Sequence, residues 1–294
     1  MAQLLLNPAL SAEFPLHAAG LIGKDAEGDW IRNDCRVRSV DTTSLLDTDE
    51  TGTAWTDVMS AIPTGRRTFF HYPGANMLLD EGHLDLSVTE ARIFYLGYLT
   101  LLDRLDTFDG EGRTAASRVF EGTRAAGLIT AADLVSRRHP RMREIVASAA
   151  PHLDYLLLNE LEAGWIVGRG LSDGSVNARS MADAAQEVLD LGIHNAVILH
   201  CESGSVCAHR RDGVVMQGAV DLPADFISST VGAGDAFAAG FLYGIHQSLE
   251  MTQCLHHATC IAAASLSDAT ASGGIGSLSE CLSLGERFGF RQMR

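Results

Sequence analysis

From about residue 91 onward the chain alternates short, continuous apolar runs with longer amphipathic stretches, and that alternation permits few architectures. Ala91–Leu96, Leu128–Leu134, Tyr155–Leu158 and Ala196–His200 are apolar runs of strand length. Between them, Gly112–Ala126, Pro140–Ala149, a stretch opening at Glu160, and Met181–Leu191 (stopped by Gly192) read as helices. Strands apolar on both faces and separated by helices predict an α/β fold, a mostly parallel sheet between two helical layers. Val206–His209 and Val214–Gln217 flank Asp212-Gly213, a strong hairpin signal. Two helices follow, at about 233–247 and 251–266. In the first, Phe237, Phe241 and Ile245 share a face with Ala238 and Leu242, as a core-facing helix requires.

Upstream of the alternation, residues 1–11 read as a short helix, Pro15–Leu21 as a strand and Asp25–Cys35 as a helix. From about Val37 to Tyr72 the pattern changes to short β-like runs, Thr53–Met59 and Thr68–Tyr72, separated by Pro63-Thr64-Gly65. The expectation is a small β lid within 37–72 that closes over a site. No Pro- or Ser-rich linker, internal repeat or low-complexity tract divides the chain. Its 294 residues, 46% of them hydrophobic, are therefore read as one domain spanning 1–294 with this lid as appendage.

Bulk properties narrow the partners. A formal net charge of -15 argues against a general nucleic-acid binder, which needs a positive footprint. It leaves room for a bound nucleotide, which needs only local donors and a metal. Six cysteines without CxxC spacing argue against zinc and against a disulfide framework, and read as reduced cytoplasmic thiols. No run reaches the roughly 18 apolar residues of a membrane span. The opening Met1-Ala-Gln-Leu-Leu-Leu-Asn-Pro8 has no basic region and no long apolar stretch, so it does not read as a signal peptide.

Chemistry concentrates in Ser229-Thr230-Val231-Gly232-Ala233-Gly234-Asp235-Ala236-Phe237, ahead of an apolar helix. Two glycines let the backbone approach a ligand, and the helix start offers N–H groups to an anion. A carboxylate in the first turn then sits where it can take a proton from an attacking hydroxyl. The same residues also make an ordinary helix cap. Asn159-Glu160-Leu161-Glu162 follows a strand, where ligands gather in open α/β sheets, and it is equally a capping box.

The first segment closely resembles the C-terminal signature of the ribokinase-like (PfkB) carbohydrate kinases, usually Asp-Thr-Thr-Gly-Ala-Gly-Asp. Further waypoints are Leu21-Ile-Gly-Lys-Asp25, Arg67-Thr-Phe-Phe-His-Tyr-Pro-Gly-Ala-Asn76 and Asn159–Glu162, so the resemblance runs from about Leu21 to Leu278. It implies a ribokinase-like three-layer α/β/α sandwich and transfer of the ATP γ-phosphoryl group to a hydroxyl of a sugar or related carbohydrate. Asp235 is implied as the base, with the Gly232, Ala233 and Gly234 backbone as anion hole. Asn159 and Glu162 are implied to position Mg²⁺ and phosphates, largely through water. Ser229 stands where the family often has an Asp that helps to hold a monovalent cation, which leaves potassium activation without a usual ligand.

Other correspondences are looser. Leu199–Gly204 resembles the Thr-x-Gly-x-x-Gly turn beside the nucleotide, but only Gly204 survives of it, and Gly204 is equally a turn glycine. Thr230 and the small-residue helix around Ala258 are the remaining nucleotide candidates, the latter equally a packing surface. Asp133 is read as a solvated or capping residue. Gly74-Ala75-Asn76 is placed near the lid hinge, with Asn76 as a substrate candidate. The lid is the candidate surface for a homodimer.

Rival readings are weaker. No G-x-x-x-x-G-K-[ST] occurs, and neither a His-Arg-Asp loop nor an Asp-Phe-Gly motif is present. Gly170-Leu-Ser-Asp-Gly174 matches G-x-S-x-G but follows a helix rather than a strand, so it is read as a surface loop. The more serious rival is an N-terminally truncated or non-catalytic nucleotide- or sugar-binding protein of the same fold. The family's first strand, with its sugar-binding Asp, and its Gly-Gly-x-x-x-Asn segment have no counterpart here. Met1–Leu6 resembles the helix that follows them.

Overall fold

The computed structural model describes residues 14–60, 67–85, 89–171 and 177–293. Its centre is a six-stranded sheet of order β10-β9-β8-β7-β6-β5. Strands β5 (Ile93–Leu99), β6 (Ile129–Leu134), β7 (Tyr155–Asn159) and β8 (Ala196–Cys201) run parallel. β9 (Gly204–His209) and β10 (Gly213–Gly218) complete it as antiparallel strands joined through the Asp212-Gly213 turn.

Alternating side chains on these strands feed two cores, as period-two geometry requires. Ala132, Leu134, Leu156, Leu158, Val197 and Leu199 face one side. There they meet α2 (Ala115–Ala125), α3 (Met142–Ala149), α4 (Glu160–Val167) and α5 (Ala178–Leu189), with Phe120, Ile145 and Met181 fully buried. Ala131, Tyr155, Leu157, Ala196 and Ile198 face the other side, against α6 (Ala233–His246) and α7 (Met251–Ser265). Phe241 is fully buried there, edge-on to the Tyr155 ring at a centroid distance of 5.6 Å. A side chain of that size contributes about 1.5–3 kcal/mol by burial. The sequence expectation of a mostly parallel sheet between two helical layers is met. A final helix, α8 (Leu278–Phe288), packs behind α7 through Cys281 and Leu284.

α6 and α7 pack at backbone distance. A Cβ on Gly240 would lie 2.8 Å from Ala258 Cα, and one on Gly244 would lie 2.7 Å from Cys254 Sγ. Ala258 is 0% exposed in this contact. That corrects its assignment to a nucleotide surface: its smallness serves helix packing, and no part of it faces solvent.

The N-terminal part forms two small sheets. β1 (Leu16–Gly23) and β2 (Val40–Thr48) pair in parallel, connected by α1 (Ala26–Val37). β3 (Trp55–Ser60) and β4 (Arg67–Tyr72) form an antiparallel hairpin. The expected lid is therefore narrower than 37–72. Its first strand belongs with β1 because the α1 crossover returns the chain parallel to β1, and only the hairpin projects. Asp25 ties these pieces together: it caps α1 by accepting from Gly28 N at 2.8 Å, and it accepts from Thr53 N at 2.7 Å at the hairpin base. Residues 1–11, Pro63-Thr64-Gly65 and most of the Gly170–Gly174 loop lie outside the described residues.

Candidate active site

The site forms at the carboxyl ends of the parallel strands, where α6 begins. Gly232 is the N-cap of α6 in the left-handed region, with φ +79°. A Cβ there would lie 2.5 Å from the Ala271 carbonyl oxygen, so the position demands glycine. No side chain caps the helix start beside the exposed Asp235 carboxylate. Ala236 N already donates to Gly232 O at 2.8 Å and Ala233 N to Thr230 O at 3.4 Å, so the open donors are the Gly234 and Asp235 N–H groups. Thr230 lies exposed on the approach to this turn. Gly232, Ala233, Gly234 and Asp235 thus stand together as the sequence pattern requires.

Asp235 shares a pocket of about 240 Å³ with Tyr95, Gly97, Tyr98, Ala238 and Ala239. Tyr98 Oη donates a hydrogen bond to Asp235 Oδ1, across from β5 to α6. Tyr95 Oη donates to Asp133 Oδ2 at 3.3 Å. Burial, reinforced by the neighbouring carboxylates, pushes both phenols well above their ordinary pKa, so both act as neutral donors.

Asp133 is 5% exposed, and its Oδ1 accepts from Leu134 N at 2.7 Å. The expectation of a solvated residue is thus corrected: β6 continues through position 134 and carries the side chain inward beneath the site. Burial raises its pKa well above the carboxylate range, with the Glu162 and Asp235 charges adding to the shift. Glu162 is 2% exposed and its pKa is also raised, chiefly by burial.

Asn159 and Glu162 form a complete capping box. Asn159 Oδ1 accepts from Glu162 N at 3.0 Å, and Glu162 Oε2 accepts from Asn159 N at 2.9 Å. Asn159 Nδ2 and Ser136 Oγ also donate to Glu162 Oε1, at 2.8 and 2.9 Å. The carboxylate is thus fixed and engaged on both oxygens. Among the described residues no three His, Cys, Asp or Glu converge as a metal site. No basic side chain is among the causes of the Asp133 and Glu162 shifts.

Two other candidates are less central. Gly204 has φ +148°, and a Cβ there would lie 2.3 Å from Gln217 O, so close pairing with β10 alone accounts for it. Asn76 is half-buried in a short 3₁₀ turn, Gly74–Leu78, whose Ala75 N donates to Gly52 O at 2.9 Å at the hairpin base. This sets Gly74–Asn76 beside the base of the β3–β4 hairpin.

Three residues of the site escaped the sequence reading: Tyr95, Tyr98 and His200. β5 runs to Leu99 rather than Leu96, and only that extension carries Tyr98 to the strand's carboxyl end. His200 lies behind the Gly232–Gly234 backbone, its Cε1 3.4 Å from where a Gly234 Cβ would stand and its ring 5.1 Å from that of Phe237. Burial pulls its pKa down to about 4, so the ring is neutral.

Solved structures share this fold. Ribokinase from Giardia lamblia superposes with a TM-score of 0.75 at 18% identity, covering 98% of this chain and 87% of that one. Arabidopsis thaliana ribokinase, solved with ribose and ATP, gives 0.73 at 20% identity, covering 96% and 85%. Fructokinase from Vibrio cholerae O395, solved with fructose, ADP and calcium ion, gives 0.72 at 16% identity, covering 96% and 89%. In sequence, a 1-phosphofructokinase from Haemophilus influenzae is 35% identical over 108 residues, which is 37% of this chain and 32% of that protein. The match thus spans about a third of that curated relative. The profile of the pfkB family carbohydrate kinases matches residues 6–276, and the chain belongs to that family.

Proposed function

We propose that the protein transfers the γ-phosphoryl group of ATP to a hydroxyl of a sugar or related small carbohydrate. The observation that carries this reading is one helix start presenting both an exposed carboxylate, Asp235, and uncapped first-turn amides. The acceptor oxygen forms a bond to the γ-phosphorus while the bond to the β-phosphate oxygen breaks, and ADP leaves. Asp235 takes the acceptor's proton. The Gly232–Gly234 backbone receives the negative charge spread over the transferring group, and its fixed geometry makes it effective.

Mg²⁺, when bound, neutralises phosphate charge. Asn159 and Glu162 would hold it through water, and Thr230 flanks the phosphate approach. Asn76 and the hairpin cover the acceptor side and exclude water that would hydrolyse ATP. Exposed Trp55, Met59, Phe69 and Phe70 on the hairpin support pairing of two chains through the lid. No described helix is long and apolar enough to cross a membrane, and the reading places the enzyme in the cytoplasm without nucleic-acid partners.

The test is Mg-ATP-dependent ADP release across a panel of sugars, sugar acids and nucleosides, with Asp235→Asn alongside. Turnover with a compound, lost in the variant while nucleotide still binds, is the expected result. Equal turnover by the variant refutes the assignment of the base. Absence of turnover in the parent protein favours a binding protein of the same fold.

A further inference from the structure

We infer that Tyr98 is a positioning residue for the base: its hydroxyl holds Asp235 by Oδ1 and leaves Oδ2 directed at the acceptor hydroxyl. The inference rests on the kinase reading above and adds a residue to it. Asp235 is an exposed side chain in the first turn of a helix, and an exposed aspartate samples several rotamers. Tyr98 is the fixed partner. It extends from the end of β5 between Gly97 and the fully buried Leu99, which pairs with Leu134 of β6. The hydrogen bond therefore references the carboxylate to the central sheet rather than to its own helix.

The surroundings fit that task. Ala238 and Ala239, one turn along α6, are small and buried, which leaves room for the ring against the helix. A neutral phenol donates one proton to one carboxylate oxygen and takes none away. Oδ2 accepts no hydrogen bond from another described residue. A base needs its accepting oxygen within hydrogen-bond reach of the proton it removes, and holding it there raises the chemical rate more than it raises binding. Tyr95, one ring away in the same pocket, makes the parallel contact to Asp133, so β5 supplies hydroxyl donors to two of the three carboxylates at the site.

The experiment is steady-state kinetics of Tyr98→Phe, which removes only the hydroxyl, with the acceptor found in the sugar panel. Loss of a hydrogen bond to a charged group corresponds to about a 10- to 100-fold fall in kcat. The acceptor KM is expected to stay within about twofold, because the bond positions the base and does not bind the sugar. Tyr98→Phe in the Asp235→Asn background is expected to cause no further loss, since the two act as one unit. Unchanged kcat overturns the inference and leaves the kinase reading intact. A raised KM at unchanged kcat also overturns it, because Tyr98 then touches the acceptor directly. Losses that multiply in the double variant overturn it as well. Absence of turnover in the parent protein removes the inference together with the reading beneath it.

Discussion

Replacing Gly232 by Ala separates folding from catalysis at the anion hole. The residue sits at φ +79°, a left-handed conformation that costs an L-residue roughly 1–2 kcal/mol. Its new methyl would also stand 2.5 Å from Ala271 O and 2.7 Å from Ala271 Cβ. Ala271 lies on an exposed loop, so this crowding is relieved by a shift of roughly 1 Å rather than by unfolding. The expected stability loss is therefore about 1–3 kcal/mol, or about 2–6 °C in melting temperature for a domain of this size. The catalytic loss should be far larger. The left-handed strain falls on the start of α6 itself, and a displacement of about 1 Å of its amides relative to the reacting group costs about 100-fold in turnover. Gly213→Ala is the matched control. It carries the same left-handed strain, at φ +71°, in the β9–β10 turn, and an added Cβ there meets nothing within 4 Å. Melting curves and ADP-release kinetics on both variants decide the matter. Both should lose similar stability, and only Gly232→Ala should lose kcat. If Gly232→Ala retains turnover in proportion to its folded fraction, the geometric account of the anion hole is wrong.

Further outcomes follow from individual contacts. Gly240→Ala inserts a methyl 2.8 Å from Ala258 Cα and should cost about 1–3 kcal/mol in urea denaturation by forcing α6 from α7. A neutral result would mean the helices shift freely. Glu162→Gln keeps one oxygen to accept from Asn159 N and offers its new amide N–H to Ser136 Oγ, while deleting the charge and the bond from Asn159 Nδ2. Its melting temperature should stay within about 3 °C, with the Mg²⁺ concentration for half-maximal rate rising about tenfold or more. An unchanged metal titration would remove Glu162 from the metal site. Stability should also fall as pH rises from about 4 to about 6. Burial raises Asp106 to about 6, above its unfolded value, so the native state holds a proton that the unfolded chain has released. Asp133 and Glu162 act in the same direction. Asp106 alone corresponds to roughly 2–3 kcal/mol over that window, and urea midpoints that rise across it would contradict the sign.

How much of this was legible in the sequence depended on whether a feature is local. β6, β7 and β8 of the central sheet read correctly because each is a short, largely apolar run buried on both faces, of strand rather than helix length. The Asp212-Gly213 turn and the Asn159–Glu162 cap are equally local, with both partners within four residues. What the sequence hid was pairing over distance. Val40–Thr48 carries a β pattern wherever it pairs, and nothing within it says that its partner is β1 rather than the hairpin. Ala258 is small for Gly240, a neighbour on another helix, and small residues look alike whether they admit a ring or a backbone.

The same limit explains the catalytic end of the molecule. Gly232 through Asp235 is a contiguous pattern and stood out at once, whereas Tyr98 meets Asp235 across 137 positions. Its strand reads as ending at Leu96, because Gly97 interrupts the apolar run. That glycine itself lines the pocket, so the residue that obscured the strand's end is part of what makes the site concave. A glycine breaking an otherwise regular strand at its carboxyl end is therefore a signal worth reading in its own right. It marks a place where the sheet is shaped for a ligand, and the polar residue just beyond it is the one to test.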